Sequence, residues 1–255
     1  MTKIIIHGCS GQMGHALQKI CLQTEGFVIA AGIDVKPADS SSSFPVFNTL
    51  NDCNVTADAV IDFSAAEAAP NLIKWCRGRK LPLVLCTTGL SNETKALIMQ
   101  VSGELPIFQS ANMSLGINLM VSLLERASAV LGDAGFNIEI VEKHHNRKLD
   151  APSGTAFMLA EAVNKDGRYA YVCDRSGRRQ VRPVNEIGIS AIRGGTIVGE
   201  HNVIFAGQDE ILEITHTAHS KDVFATGALK AAEFIIRQKP GIYSMNDMLN
   251  VIYTS

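Results

Sequence analysis

The sequence predicts an α/β protein in which a doubly wound parallel sheet is followed by a second unit of α+β type. Three observations lead there. In the first third, short continuous apolar runs alternate with helical patterns, as strands buried on both faces require. A glycine-containing turn joins the first run to the first helix. Beyond about residue 112 the texture changes, and three strand-like stretches follow one another with no helical pattern between them.

In order, strands are expected at 3–7, 27–33, 59–63, 83–86 and 106–108, with helices at 11–24, 67–79 and 91–101. The serine run 40–43 reads as a surface loop. The second unit opens with a helix at 115–131, a strand at 137–142, a polar loop and a helix at 153–163. A polar segment rich in Arg and Gly spans 166–185, and strands are expected at 187–192, 197–205 and 211–217 in antiparallel or mixed pairing. A small-residue helix around 224–232 is expected to pack back on the first unit, which makes the first domain 1–111 plus 223–255 and the second 112–222.

The 255 residues are 46% apolar and 19% charged, enough for a water-excluded core and unlike a disordered or fibrous chain. Lys and Arg number 23 against 25 Asp and Glu, a net charge of −2 with no long run of one sign, which argues against nucleic-acid binding by bulk electrostatics. The N-terminal apolar run is too short for a signal peptide and no later run reaches membrane-spanning length, so a soluble cytoplasmic protein without a membrane partner is expected. The six cysteines lack Cys-x-x-Cys pairs or zinc-like spacing, so reduced thiols and no metal are expected.

The turn Gly8-Cys9-Ser10-Gly11-Gln12-Met13-Gly14 lies where a Rossmann-type fold brings backbone N–H groups up to a pyrophosphate. Its G-x-x-G-x-x-G spacing, taken alone, equally suits a turn that needs glycine only for positive φ. Asp34, about twenty residues further on at the end of the second strand, stands where an acid accepts ribose hydroxyls, and the order strand, turn, helix, acid favours nucleotide binding. Cys86-Thr87-Thr88-Gly89 and Ser110-Ala111-Asn112-Met113 follow the fourth and fifth strands, at the sheet end that borders the ligand crevice. They are candidates for the nicotinamide half, with ordinary loop capping as the competing account.

The segment 142–155, E-K-H-H-N-R-K-L-D-A-P-S-G-T, carries the chemistry. Basic and histidine side chains crowd the end of a strand, and Ser153-Gly154-Thr155 begin a helix whose N–H groups and hydroxyls suit a carboxylate. Lys148 can supply a proton or hold an anion, and histidine titrates near neutral pH. A solvated loop is the alternative on charge alone.

This run resembles the signature E-x-H-H-x-x-K-x-D-A-P-S-G-T-A of the dihydrodipicolinate reductase family of bacterial lysine and diaminopimelate synthesis. Further motifs of that family occur in its order: Ile61-Asp62-Phe63-Ser64, Val198-Gly199-Glu200-His201, Leu212-Glu213-Ile214-Thr215-His216 and Phe224-Ala225-Thr226-Gly227-Ala228. The resemblance covers nearly the whole chain. It implies reduction of a cyclic unsaturated dicarboxylate to tetrahydrodipicolinate with NADH or NADPH, and a second domain that binds substrate and oligomerises. It further implies that His144 acts as acid/base, Lys148 as proton donor, and His145, Gly154 and Thr155 as substrate contacts; Ser153 is taken with them. Many members carry Arg where this chain has Gln12 and Glu-Arg where it has Asp34-Val35, so a strong NADPH preference is not implied here. The family is typically a homotetramer built through the sheets of the second domain. His201 and His216 match family positions but read better as hydrogen-bonded structural residues, and the arginines between 168 and 193 as solvated or contact residues. A nucleotide sensor without catalysis, or a related two-domain dehydrogenase acting on another amino-acid precursor, are the competing functions.

Overall fold

Runs of two to seven residues, largely apolar and too short for helices, form the first sheet of the computed structural model, which describes residues 1–36 and 42–254. Seven parallel strands are ordered β12-β6-β5-β4-β1-β2-β3: β1 Thr2–His7, β2 Phe27–Ile33, β3 Val46–Phe47, β4 Ala59–Asp62, β5 Leu83–Leu85, β6 Pro106–Gln109 and β12 Gly241–Tyr243. Strand alternation sends Ile4 and Ile6 into one apolar core and Ile5 into the other, so the sheet is buried on both faces. The helices are α1 Gln12–Gln23, α2 Ala69–Arg79, α3 Asn92–Val101, α6 Asp222–Ile235 and α7 Met245–Thr254. The expected helix at 67–79 opens instead as a short 3₁₀ turn at Ala66–Ala68, with Pro70 at the start of α2. Ser91 caps α3 by accepting the Thr94 N–H at 3.2 Å. Of the expected serine loop, Ser40 and Ser41 lie outside the described residues.

β1 lies between β2 and β4, and the chain leaves it through the glycine turn, at the point where the strand order reverses. As expected, α6 returns to this unit, packing on α1 and on β4, β5 and β6. The return needs Gly227, whose missing Cβ would stand 1.7 Å from the Met113 carbonyl oxygen.

The chain divides into two compact units, 1–115 with 221–255, and 116–220. The second holds α4 Leu115–Leu131 apart from its first residue, β7 Asn137–His144, α5 Gly154–Val163, β8 Ala170–Val172, β9 Glu186–Arg193, β10 Gly199–Ala206 and β11 Ile211–Ala218. Its sheet is mixed, ordered β11-β10-β7-β9-β8. β9 and β10 do not pair although consecutive, because β7 lies between them, parallel to β9 and antiparallel to β10. Ile138, Ile140, Ile189 and Phe205 on one face form a core with Leu159 and Ala160 of α5 and Leu124 of α4. Within the segment expected to be irregular, β8 pairs with β9, and Arg175, Arg178 and Arg182, though still partly exposed, form ion pairs with Glu139 and Glu186. Glu139 fits because residue 188 is glycine; a Cβ there would collide with its carboxylate. No helix among the described residues is long and apolar enough to cross a membrane.

Candidate active site

In the first unit, Gly8 adopts φ +81°, and a Cβ on it would meet the Phe63 carbonyl oxygen at 2.8 Å. A Cβ at Gly14 would stand 2.4 Å from the carbonyl oxygens of both Gly8 and Cys9. These two glycines make the turn; Gly11 is the N-cap of α1, with no side chain to cap the helix and no acid in its first turn. The helix start therefore presents open N–H groups and the positive end of its dipole, which suits a pyrophosphate. Asp34 accepts the Ser10 N–H at 2.9 Å through one oxygen and the Lys36 N–H at 3.0 Å through the other, tying the turn to the end of β2. It borders a cavity of about 380 Å³ shared with Gly8, Gly11, Lys36, Phe63 and Ser64, large enough for a nucleoside. Gln12 accepts the Lys221 Nζ at 2.7 Å, so a cation from the start of α6 stands where the chain lacks an arginine.

The remaining expected cofactor residues divide by side chain. Cys9, Cys86 and Met113 are buried in the core with Met13 packed against it, so they offer a ligand only their backbone. Burial, with the nearby Asp62 carboxylate, holds the Cys86 thiol far above its usual range. The Thr87 hydroxyl donates to Asp62 at 2.6 Å; Asp62 also bonds His7 at 2.7 Å and the Ser64 N–H at 3.1 Å, knitting together the carboxyl ends of β1, β4 and β5. Ser110 donates to the Asn112 carbonyl, and Asn112 Oδ1 accepts the Ser114 N–H. Thr87, Thr88, Gly89, Ser110 and Ala111 line a cavity of about 250 Å³.

In the second unit, β7 ends at His144, which is 8% exposed. Its Nδ1 lies 2.6 Å from Glu142 Oε2. Glu142, fully buried, also accepts both terminal nitrogens of Arg193, at 2.8 and 2.6 Å, and the Ser153 N–H at 3.0 Å. Burial alone would raise the Glu142 carboxyl, but the Arg193 and His144 hydrogen bonds outweigh it and hold it below its usual value. His201 meets the His144 ring edge to face at 5.2 Å, and burial together with His144 pushes it down to about 4. Lys148 pairs with Asp150 at 2.8 Å in the following loop. His145 and Lys148 share that loop, joined by the Lys148 N–H to the His145 carbonyl at 3.1 Å.

Ser153 departs from its expected place as a substrate contact. It is 1% exposed, its Oγ caps α5 by accepting the Ala156 N–H and lies 3.2 Å from His201 Nε2, and its own N–H is spent on Glu142. Gly154 and Thr155 are the first residues of α5, which has no acid in its first turn, and the Gly154 N–H meets the Asp150 carboxylate. The sequence reading passed over Glu142 and placed Arg193 in a solvated segment; the signal available was the Glu two positions before His144, which on a strand shares its face.

A parallel-sheet unit with a glycine turn, joined to a second unit carrying an imidazole and an ammonium beside a helix start, defines a two-domain nucleotide-dependent oxidoreductase. The same fold occurs in the NAD(H)-bound scyllo-inositol dehydrogenase of Lactobacillus casei (TM-score 0.60, 15% identity, covering 98% of this chain and 93% of that one). A likeness with TM-score 0.81 and 21% identity, covering 96% of this chain and 99% of the other, relates it to the dipicolinate-bound dihydrodipicolinate reductase of Paenisporosarcina sp. TG-14. Residues 2–113 match the family described as dihydrodipicolinate reductase, N-terminus, and residues 116–249 its C-terminus. The 4-hydroxy-tetrahydrodipicolinate reductases of Caldanaerobacter subterraneus subsp. tengcongensis and Clostridium novyi are 52% and 48% identical, each over 98% of this chain and 98% of the relative. The chain belongs to the dihydrodipicolinate reductase family.

Proposed function

We propose that this chain reduces 4-hydroxy-tetrahydrodipicolinate to tetrahydrodipicolinate at the expense of NADH or NADPH, within lysine and diaminopimelate synthesis. The observation that carries this reading is the 142–155 segment, folded with His144, Lys148 and the α5 start in one unit, inside a full-length match to the family. Loss of water from the substrate leaves a conjugated imine, which takes up a hydride at one carbon and a proton nearby. When bound, the reduced nicotinamide supplies that hydride. The Gly8–Gly14 turn holds the pyrophosphate on its backbone N–H groups, Asp34 takes the adenosine ribose, and the loops at 86–89 and 110–113 receive the nicotinamide half. In the second unit Gly154 and Thr155 bind one substrate carboxylate, His145 and Lys148 the other, Lys148 gives the proton and His144 serves as acid/base. Residues 1–111 with 223–255 form the nucleotide-binding domain, and 112–222 the substrate-binding and oligomerisation domain.

The second sheet has a face turned away from its helices. Register places Val141, Lys143, Ser190, Ile192, Asn202, Ile204 and Thr215 on it, and Ile192 is 46% exposed. Such a face, apolar strips between polar residues, supports assembly of four chains through these sheets. Light scattering should give four times the chain mass; a monomer would refute it. The cytoplasm, where reduced nicotinamide and free thiols coexist, is the compartment this reading requires.

The test is absorbance at 340 nm with substrate freshly made from aspartate semialdehyde and pyruvate. Substrate-dependent oxidation of NADH or NADPH is expected. A chain that binds the cofactor without turnover is a nucleotide sensor, and one that acts only on other precursors is a different dehydrogenase; either result ends this reading.

A further inference from the structure

We propose that Glu142 is the positioning residue of the reaction: it fixes the proton of neutral His144 on Nδ1, leaving Nε2 as the nitrogen that exchanges a proton, and ties that ring to the α5 start through the Ser153 N–H. The inference rests on the reading that His144 works on the substrate. All four groups that meet Glu142 come to it as donors. Oε1 takes the Ser153 N–H and one Arg193 nitrogen, and Oε2 takes the other Arg193 nitrogen and His144 Nδ1. An ionised carboxylate only accepts, so Nδ1 carries the hydrogen. Arg193 compensates the buried charge and is itself anchored on the Asp150 carbonyl. Gly199 of β10 leaves room for the other edge of the ring: a Cβ there would stand 3.2 Å from His144 Nε2.

The charged and titratable groups around His144 are Glu142 on its own strand, Arg193 on β9, His201 on β10 and the Lys148–Asp150 pair of the loop. Burial keeps His201 neutral near pH 7, so Glu142 is the anion that bonds the ring directly. Carboxylate, imidazole and helix start are thereby held on one buried acceptor. A shift of either oxygen would move the proton-transfer atom and the Gly154–Thr155 carboxylate site together.

Glu142→Gln tests this, because its amide must set an NH₂ against two of the four donors. Of those donors only imidazole can turn into an acceptor, by moving its proton to Nε2. Wild-type protein labelled with ¹⁵N-histidine, its His144 signal assigned by loss in His144→Gln, should show the Nδ1–H tautomer. Glu142→Gln should show Nε2–H, with kcat lower by about 10²-fold or more, as for a wrong tautomer in a hydrolase triad. Its KM for substrate and its affinity for NADH should stay within a few-fold, and Glu142→Asp, which keeps an acceptor-only group, should recover the tautomer and part of kcat. A wild-type His144 protonated on Nε2 overturns the proposal whether or not the variant folds. So does a folded Glu142→Gln with wild-type kcat and tautomer. If His144→Gln itself keeps full activity, the role given to His144 fails instead.

Discussion

Lys148 illustrates what the site asks of a single side chain. Its Nζ is held by Asp150, but Asp150 is more than half exposed, so the pair is worth at most about 1 kcal/mol and opens readily for a substrate anion. Lys148→Ala and His144→Gln should each lower kcat by roughly 10²–10⁴-fold with cofactor affinity little changed; turnover within a few-fold of the parent for Lys148→Ala would refute its role as donor. Asp34, proposed to take the adenosine ribose, bears on the other substrate. Each of its oxygens accepts one backbone N–H and can take a ribose hydroxyl as well, whereas a 2′-phosphate would set like charges together. Lys36 in the same cavity and Lys221 on Gln12 soften that repulsion without removing it. NADH should be used at least as well as NADPH when kcat/KM is compared; a hundredfold preference for NADPH would overturn this. That Asp34 follows β2 and that His144 and Lys148 share one segment was legible in the sequence, while the roles proposed for His144 and Lys148 rest on the family resemblance. Glu142 was not legible, since its value comes from Arg193, 51 residues away on β9.

At the scale of elements, α5 shows how a local rule and a functional one share a helix. Ser153 completes the cap, which costs about 0.5–2 kcal/mol to remove, and Gly154 and Thr155 stand at the positive end of the helix, where a ligand anion would displace the Asp150 carboxylate from the Gly154 N–H. With the second anion site proposed at His145 and Lys148, the substrate has to be a dicarboxylate. Pyridine-2,6-dicarboxylate should compete with substrate and bind roughly ten- to a hundredfold more tightly than the monocarboxylate, the worth of one charge-assisted contact. Thr155→Val should weaken the dicarboxylate and spare NADH. Equal binding of the two acids, or competition with NADH, would move the pocket elsewhere. Most helices and long strands were legible from periodicity and caps, with ends shifted by one or two residues. β3, β8 and β12 were not, because two or three residues carry no period, and each joins a sheet edge by pairing with a partner already in place. The insertion of β7 between β9 and β10 was equally hidden, since spacing along the chain says which strands are close in sequence and not which pair.

For the molecule as a whole, the buried imidazole of His201 couples folding to pH. Its pKa falls from 6.5 in the open chain to about 4 in the fold, chiefly because burial disfavours the charged ring. A lowered histidine adds stability that is fully present above pH 6.5 and is lost as the pH falls toward 4, since over that window the unfolded chain binds one more proton than the native one. The loss approaches about 1.4 kcal/mol per pH unit and totals roughly 3 kcal/mol, a large share of the 5–15 kcal/mol typical of a folded domain. His216, also lowered by burial, acts in the same direction. Glu142 has the lowered pKa of a paired carboxylate, so its contribution is complete above pH 4.5 and disappears only in more acid solution. Measurements between pH 7 and 5 therefore isolate the histidines. His201→Gln keeps a hydrogen-bonding group for the Ser153 hydroxyl and cannot titrate. Its unfolding free energy, from urea titrations at each pH, should fall less between pH 7 and 5 than that of the parent, with the residual slope left to His216. Parallel curves for the two proteins would show that His201 is not the group whose protonation opens the fold.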